Sequence, residues 1–133
     1  MKNFGRLLLN KQEIIKEYFQ SWINNDISIV EKIFSEEILY TECYGAQYKS
    51  KKQILNWFRD WQKKGKVISW DIKNIYATEK ILTVEWNFRC IWEEKESDFD
   101  GVSIVEFNEN NLIINLREFE SKSTHHFPYE NRI

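Results

Sequence analysis

The sequence predicts a single α+β domain in which three N-terminal helices cover one face of a strongly bent antiparallel sheet. Three observations predict it. Apolar residues in the first half recur at helical spacing. Residues 82–90 alternate between apolar and polar, as a strand with one buried face requires. The remaining strand-like runs follow one another through short turns, which favours meander pairing.

The first helix is expected over Lys11–Asn24, with Ile14, Ile15, Tyr18, Phe19, Trp22 and Ile23 on one stripe. Asn24-Asn25-Asp26 breaks it. Asp26 or Ser28 then caps a short second helix carrying Ile29, Val30, Ile33 and Phe34. Glu37–Tyr44 is β-prone, and Gly45 allows a turn with a small excursion to Tyr48. Ser50-Lys51-Lys52-Gln53 is a capping box for a third helix, whose stripe is Ile54, Trp57, Phe58 and Trp61. Gly65 is a natural stop for that helix.

Four strands follow. Val67–Tyr76 places Ile68, Trp70 and Ile72 on one face. Thr78-Glu79-Lys80 turns the chain into Leu82, Val84, Trp86, Phe88, Cys90 and Trp92, which share one parity. Glu93–Asp98 reads as a charged loop, Phe99–Phe107 as the next strand, and Leu112–Glu120 as the last. Three helices cover one sheet face only. The other would carry Val102, Ile104 or Ile113, and that apolar material predicts a second subunit there.

Composition narrows the function. A chain of 133 residues is one ordinary domain and needs no disulfide or metal to hold its core. The 16% aromatic content, with six Trp, six Tyr and nine Phe, points to a thick core or a lined pocket. A net charge of −2 argues against nucleic acid, and the lysines at 49, 51, 52, 63, 64 and 66 read as a solvated helix surface. Cys43 and Cys90 form no CxxC or zinc spacing, so a reduced cytoplasmic thiol pair is expected, without metal or cofactor. Leu7-Leu8-Leu9 is too short for a signal-peptide core, and no apolar run is long enough to span a bilayer. No Gly-rich phosphate loop is present.

Several strings carry a family resemblance across nearly the whole chain. They are Leu39-Tyr40-Thr41-Glu42-Cys43-Tyr44-Gly45, Ile54-Leu55-Asn56-Trp57-Phe58-Arg59-Asp60-Trp61, and Lys66-Val67-Ile68-Ser69-Trp70-Asp71-Ile72. Val84-Glu85-Trp86-Asn87-Phe88, Phe99 to Phe107 and Glu118-Phe119-Glu120-Ser121-Lys122 complete the set. The chain resembles a bacterial subgroup of the SnoaL-like branch of the nuclear transport factor 2-like superfamily. That resemblance implies a cone-shaped, cystatin-like roll with a pocket between sheet and helices, and a homodimer through the outer sheet face. The superfamily holds isomerases, cyclases, hydrolases and non-catalytic binding modules, so the fold alone does not choose among them.

A pocket carboxylate would be the general base of such an enzyme, because desolvation raises its pKa toward neutrality. Glu42, Asp100 and Glu118 are the candidates, with Glu106 and Glu85 behind them. Each could equally be solvated or paired across the sheet. Tyr40 or Tyr44 would donate a hydrogen bond to a developing oxyanion. His125, beside His126 in the tail, would reach the cavity if the tail folds back over it. Trp57, Trp61, Trp70, Trp86 and Phe88 are core or pocket lining. Cys43 is a poor nucleophile candidate without a nearby base, and Cys90 reads as a small buried apolar residue. Three readings stay open: a small-molecule binder, an isomerase, cyclase or hydrolase, and a protein-interaction module.

Overall fold

A computed structural model describes residues 4–130, with side chains described from Asn10 onward; the Leu7-Leu8-Leu9 run therefore lies outside the described side chains. The element order is α1 (Phe4–Asn24), α2 (Ile27–Ile33), β1 (Phe34–Thr41), β2 (Gln47–Tyr48), α3 (Lys51–Lys64), β3 (Gly65–Ala77), β4 (Ile81–Trp92), β5 (Lys95–Phe107) and β6 (Ile113–Lys122). Six strands make one open sheet in the order β2-β1-β6-β5-β4-β3. All pairs are antiparallel except β1 and β6, which run parallel, so the sheet is mixed.

Local chemistry sets the helix ends. The Asp26 carboxylate accepts from Ser28 N at 3.1 Å and starts α2. Ser50 Oγ accepts from Gln53 N at 3.1 Å, while Gln53 Oε1 accepts from Lys49 N at 2.8 Å. Phe34, expected in α2, instead opens β1 and is fully buried. Gly65 ends α3 in extended backbone rather than in the left-handed region. Its value is space: a Cβ there would stand 2.7 Å from Trp92 Cδ1 and 3.0 Å from Ile91 O.

The apolar faces of the helices meet the concave face of the sheet. Phe19 stacks on Trp70 with ring centroids 3.9 Å apart, locking α1 to β3. Trp22 contacts Trp57, Phe58 and Trp61, joining α1 to α3. On β4 the alternation holds as expected, with Leu82, Val84, Trp86 and Cys90 buried. On β3 it does not. The register shifts between Val67 and Ser69, so Val67 and Trp70 are buried and Ile68 leaves their face. A second shift follows Ile72. Such bulges bend a strand, and they curl β3 around α1.

Two further expectations are corrected. The stretch 93–98 is no loop. Glu93 and Glu94, both with positive φ, form a two-residue turn between the paired Trp92 and Lys95. That backbone matches the twist of a tight hairpin. Ile113 is fully buried in the core rather than on the outer face. The outer face carries Leu39, Val102, Ile104 and Phe119, of which Phe119 is about half exposed.

Candidate functional site

Between the sheet and α1 and α3 lies a cavity of about 570 Å³. Its wall is mostly aromatic. Tyr40, Tyr44, Trp57, Trp61, Trp70, Trp86 and Phe88, singled out in the sequence, all line it, and Trp22, Tyr48, Trp92 and Phe99 join them. Exposed lining residues mark the rim: Tyr44, Asp60, Lys64, Trp92 and Lys95. Tyr44 packs edge-on against Phe99 there, at 6.2 Å.

The strand register decides which polar groups face inward. Odd positions of β5 point to the concave side, so Gly101, Ser103, Val105 and Phe107 are buried. Ser103 Oγ accepts the indole N–H of Trp86 at 2.9 Å. Gly101 leaves room for the Trp86 ring, since a Cβ would collide with it. Glu118 pairs with Ser103 across β5 and β6 and faces the cavity.

Glu118 is the most perturbed carboxyl among the described residues. Protein surrounds it, and its residual exposure is toward the cavity it lines. Burial pushes its pKa up to about 8; the Tyr40 hydrogen bond opposes the rise and the charge of Glu42 adds to it. Tyr40 Oη donates to Glu118 Oε2 at 2.5 Å, and Tyr18 Oη donates to Tyr40 Oη at 2.6 Å. The result is a chain of hydroxyls from α1 through β1 to β6. Burial, and then the Glu118 carboxyl, hold both phenols well above their usual range. Trp22 lies close enough to favour the ionised form of Tyr18, though outside hydrogen-bond geometry. The indole N–H groups of Trp22 and Trp70 are buried in the wall without a partner.

Glu42 lines the same cavity and accepts from Tyr48 Oη at 2.7 Å. Burial raises its pKa, and the Tyr48 hydrogen bond works against the rise. Cys43 also lines the cavity, but burial and the surrounding glutamates push its thiol up to about 12, so it carries no thiolate at neutral pH. Cys90, also raised by burial, stays a thiol in the same wall.

Asp100 and His125 lie elsewhere. Even positions of β5 face outward, and Asp100 accepts from Lys73 Nζ at 2.8 Å and from Asn87 Nδ2 at 3.0 Å. Those hydrogen bonds hold its carboxyl below the usual range. His125 Nε2 stands 3.8 Å from Asp100 Oδ2 on that same outer side, so the tail does not fold over the cavity. Glu106 shares the outward parity, and Glu85 accepts from Asn74 on that face. Sequence reasoning overlooked Tyr18 and Tyr48. A phenol on the buried stripe of a helix needs a hydrogen-bond partner, and that requirement was the available signal for Tyr18.

Among the described residues no cluster of three or more His, Cys, Asp or Glu could hold a metal ion, and no helix is long and apolar enough to cross a membrane.

An open sheet curled over three helices, with a cavity between them, defines the cystatin-like α+β cone. The chain belongs to the SnoaL-like domain family, whose model matches residues 15–116. No curated protein matches the chain. Several solved structures share the fold. One is a hypothetical protein with a ketosteroid isomerase-like fold from Catenulispora acidiphila, in complex with trimethylamine. It is 15% identical with a TM-score of 0.73, covering 82% of this chain and 85% of that one. Another is an LEH-like epoxide hydrolase of M. tuberculosis, 14% identical with a TM-score of 0.74, covering 82% and 80%. A third, from Xanthomonas campestris, is a protein of unknown function with a cystatin-like fold. It is 11% identical with a TM-score of 0.71, covering 84% and 91%.

Proposed function

We propose that the chain binds a largely apolar small molecule in the cavity and moves a proton to or from it with Glu118. The observation that carries this reading is the Glu118 carboxyl, set in an aromatic wall, oriented by Tyr40 and poised near pH 8. A group whose pKa lies near the working pH both gives and takes a proton readily. At neutral pH Glu118 is mostly the acid and can protonate a ligand oxygen. Glu42, the less perturbed carboxyl of the same cavity, is the complementary base. Acid and base in one apolar chamber suit isomerisation, cyclisation or hydrolysis, and an epoxide hydrolase is among the proteins of this fold. A second copy of the chain on the outer sheet face completes the reading. Val102 and Phe119 pair directly there, with Ile104 further along β5 beside Arg117 and Leu39 on β1 beside Asn115.

The probe 5-nitrobenzisoxazole tests Glu118 without knowledge of the natural substrate. A base removes the ring C–H proton, the C–H electrons complete a nitrile, and the N–O bond breaks to release a coloured cyanophenolate. The rate should rise with pH through a midpoint of about 8, set by Glu118. Glu118→Gln should abolish that dependence. Glu42→Gln should move the midpoint down, because the charge of Glu42 raises the Glu118 pKa. Equal rates and profiles for wild type and Glu118→Gln would remove Glu118 from the mechanism.

A further inference from the structure

The cavity is electrically lopsided. Its inner wall holds two carboxyls, Glu42 and Glu118, and beyond the β1–β2 side the Glu120 carboxylate adds to the field on Cys43 and Tyr44. The opposite rim is built where the end of α3 meets the β4–β5 turn. Glu93 N donates to Lys64 O at 2.9 Å, and Gly65 and Lys95 both pair with Trp92. Three charged side chains line the cavity there: Asp60, Lys64 and Lys95.

Two of the three are already engaged. Asp60 stands 3.8 Å from Lys63, and Lys64 stands 3.9 Å from Glu93 with its ammonium 5.9 Å from the Trp92 ring centroid. The Lys95 ammonium has no hydrogen bond or ion pair among the described residues. Its position is not that of an ordinary surface lysine. Lys95, Ser97 and Phe99 share the inward parity of β5 and all three line the cavity, forming a row from rim to interior. Trp92, Cys90 and Phe88 form the adjacent row on β4. An uncommitted cation therefore caps one end of an aromatic slot whose other end is a carboxyl that is mostly neutral at pH 7.

We infer that the ligand is an amphiphile with an apolar ring body and one anionic group, the body seated among the aromatics and the anion held at the rim by Lys95. This rests on the cavity being the binding site and adds the class and orientation of its occupant. Apolar burial supplies most of the affinity, and the exposed charge pair supplies selectivity. Lys95 is a specificity residue at the rim and takes no part in proton transfer.

A matched pair of fluorescent probes isolates the charge. N-phenyl-1-naphthylamine is 1-anilinonaphthalene-8-sulfonate without its sulfonate. Both are titrated against the full chain at low ionic strength near pH 6.5, where Glu118 is protonated. The sulfonate should bind tighter than the neutral amine. Lys95→Met should weaken the sulfonate roughly fivefold, the upper reach of an exposed charge pair. The same substitution should leave the neutral probe unchanged, and Lys66→Met, on β3 beyond β4 and off the cavity lining, should change neither. Added salt should erase the preference. If both probes bind equally well, or Lys95→Met weakens both alike, the anion site is overturned while the cavity stands. If neither binds, the cavity reading and this inference fall together.

Discussion

Glu118 carries a stability consequence that needs no substrate to measure. Its folded-state pKa, about 8, lies above the 4.5 of an unperturbed glutamate. Between those values the folded protein holds a proton that the unfolded chain has released. Stability therefore falls as pH rises from about 4.5 through about 8. The raised pKa of Glu42 contributes in the same direction, so the comparison between variants is the readout. Glu118→Gln keeps an acceptor for the Tyr40 hydroxyl and removes the buried charge. Its melting temperature should exceed that of wild type near pH 9, by a margin that shrinks toward pH 5. A margin independent of pH would show that Glu118 does not titrate in this window. The Tyr18–Tyr40–Glu118 chain also explains why the carboxyl is not perturbed further: a donated hydrogen bond favours the carboxylate and offsets part of the burial cost.

At the scale of elements, the fit between β4 and β5 is set by one missing side chain. Gly101 pairs with Trp86, and a Cβ there would strike the indole ring and crowd Phe119 O at 2.5 Å. Gly101→Ala should cost about 1–3 kcal/mol, the usual penalty for overpacking. Urea unfolding would show the loss as a lowered midpoint with an unchanged slope, and it should displace the Trp86–Ser103 hydrogen bond from the cavity wall. Strand β4 was legible in the sequence because no bulge interrupts it, so period two maps directly onto inside and outside. Strand β3 was not, because the register shift after Val67 puts Val67 rather than Ile68 on the buried face with Trp70, with no mark in composition. The turn at Glu93-Glu94 was equally silent. Two glutamates do not advertise the positive φ that Asn-Gly would. Spacing marked the aromatics as core or lining alike, and the cavity was expected from the family resemblance. The Glu118 carboxyl was one of several candidates, since choosing it over Asp100 requires the inward parity of β5 and β6.

Across the whole molecule, the helices cover one sheet face and leave Leu39, Val102, Ile104 and Phe119 on the other. Apolar side chains left on an uncovered sheet face suit an interface. Light scattering on the eluting protein should give twice the 16.3 kDa chain mass at micromolar concentration. Phe119→Asp should return it to the monomer with its cavity intact. A wild-type chain that is monomeric at every concentration would remove the dimer.

The parallel seam between β1 and β6 also orders events in time. Tyr40 and Glu118 touch across 78 positions of chain, and every other element lies between or before them. Pairing at that distance closes a long loop, and such contacts form late. On the ribosome, the helices and five strands emerge before β6 exists. Until Ile113 is released the growing chain presents the unpaired edges of β1 and β5 and an aromatic slot open along its length. That is the stage at which a nascent chain is most prone to stick to its neighbours. The strand that ends this exposure also delivers the Glu118 carboxyl, so the cavity gains its buried carboxyl and the sheet loses its open edges in the same step.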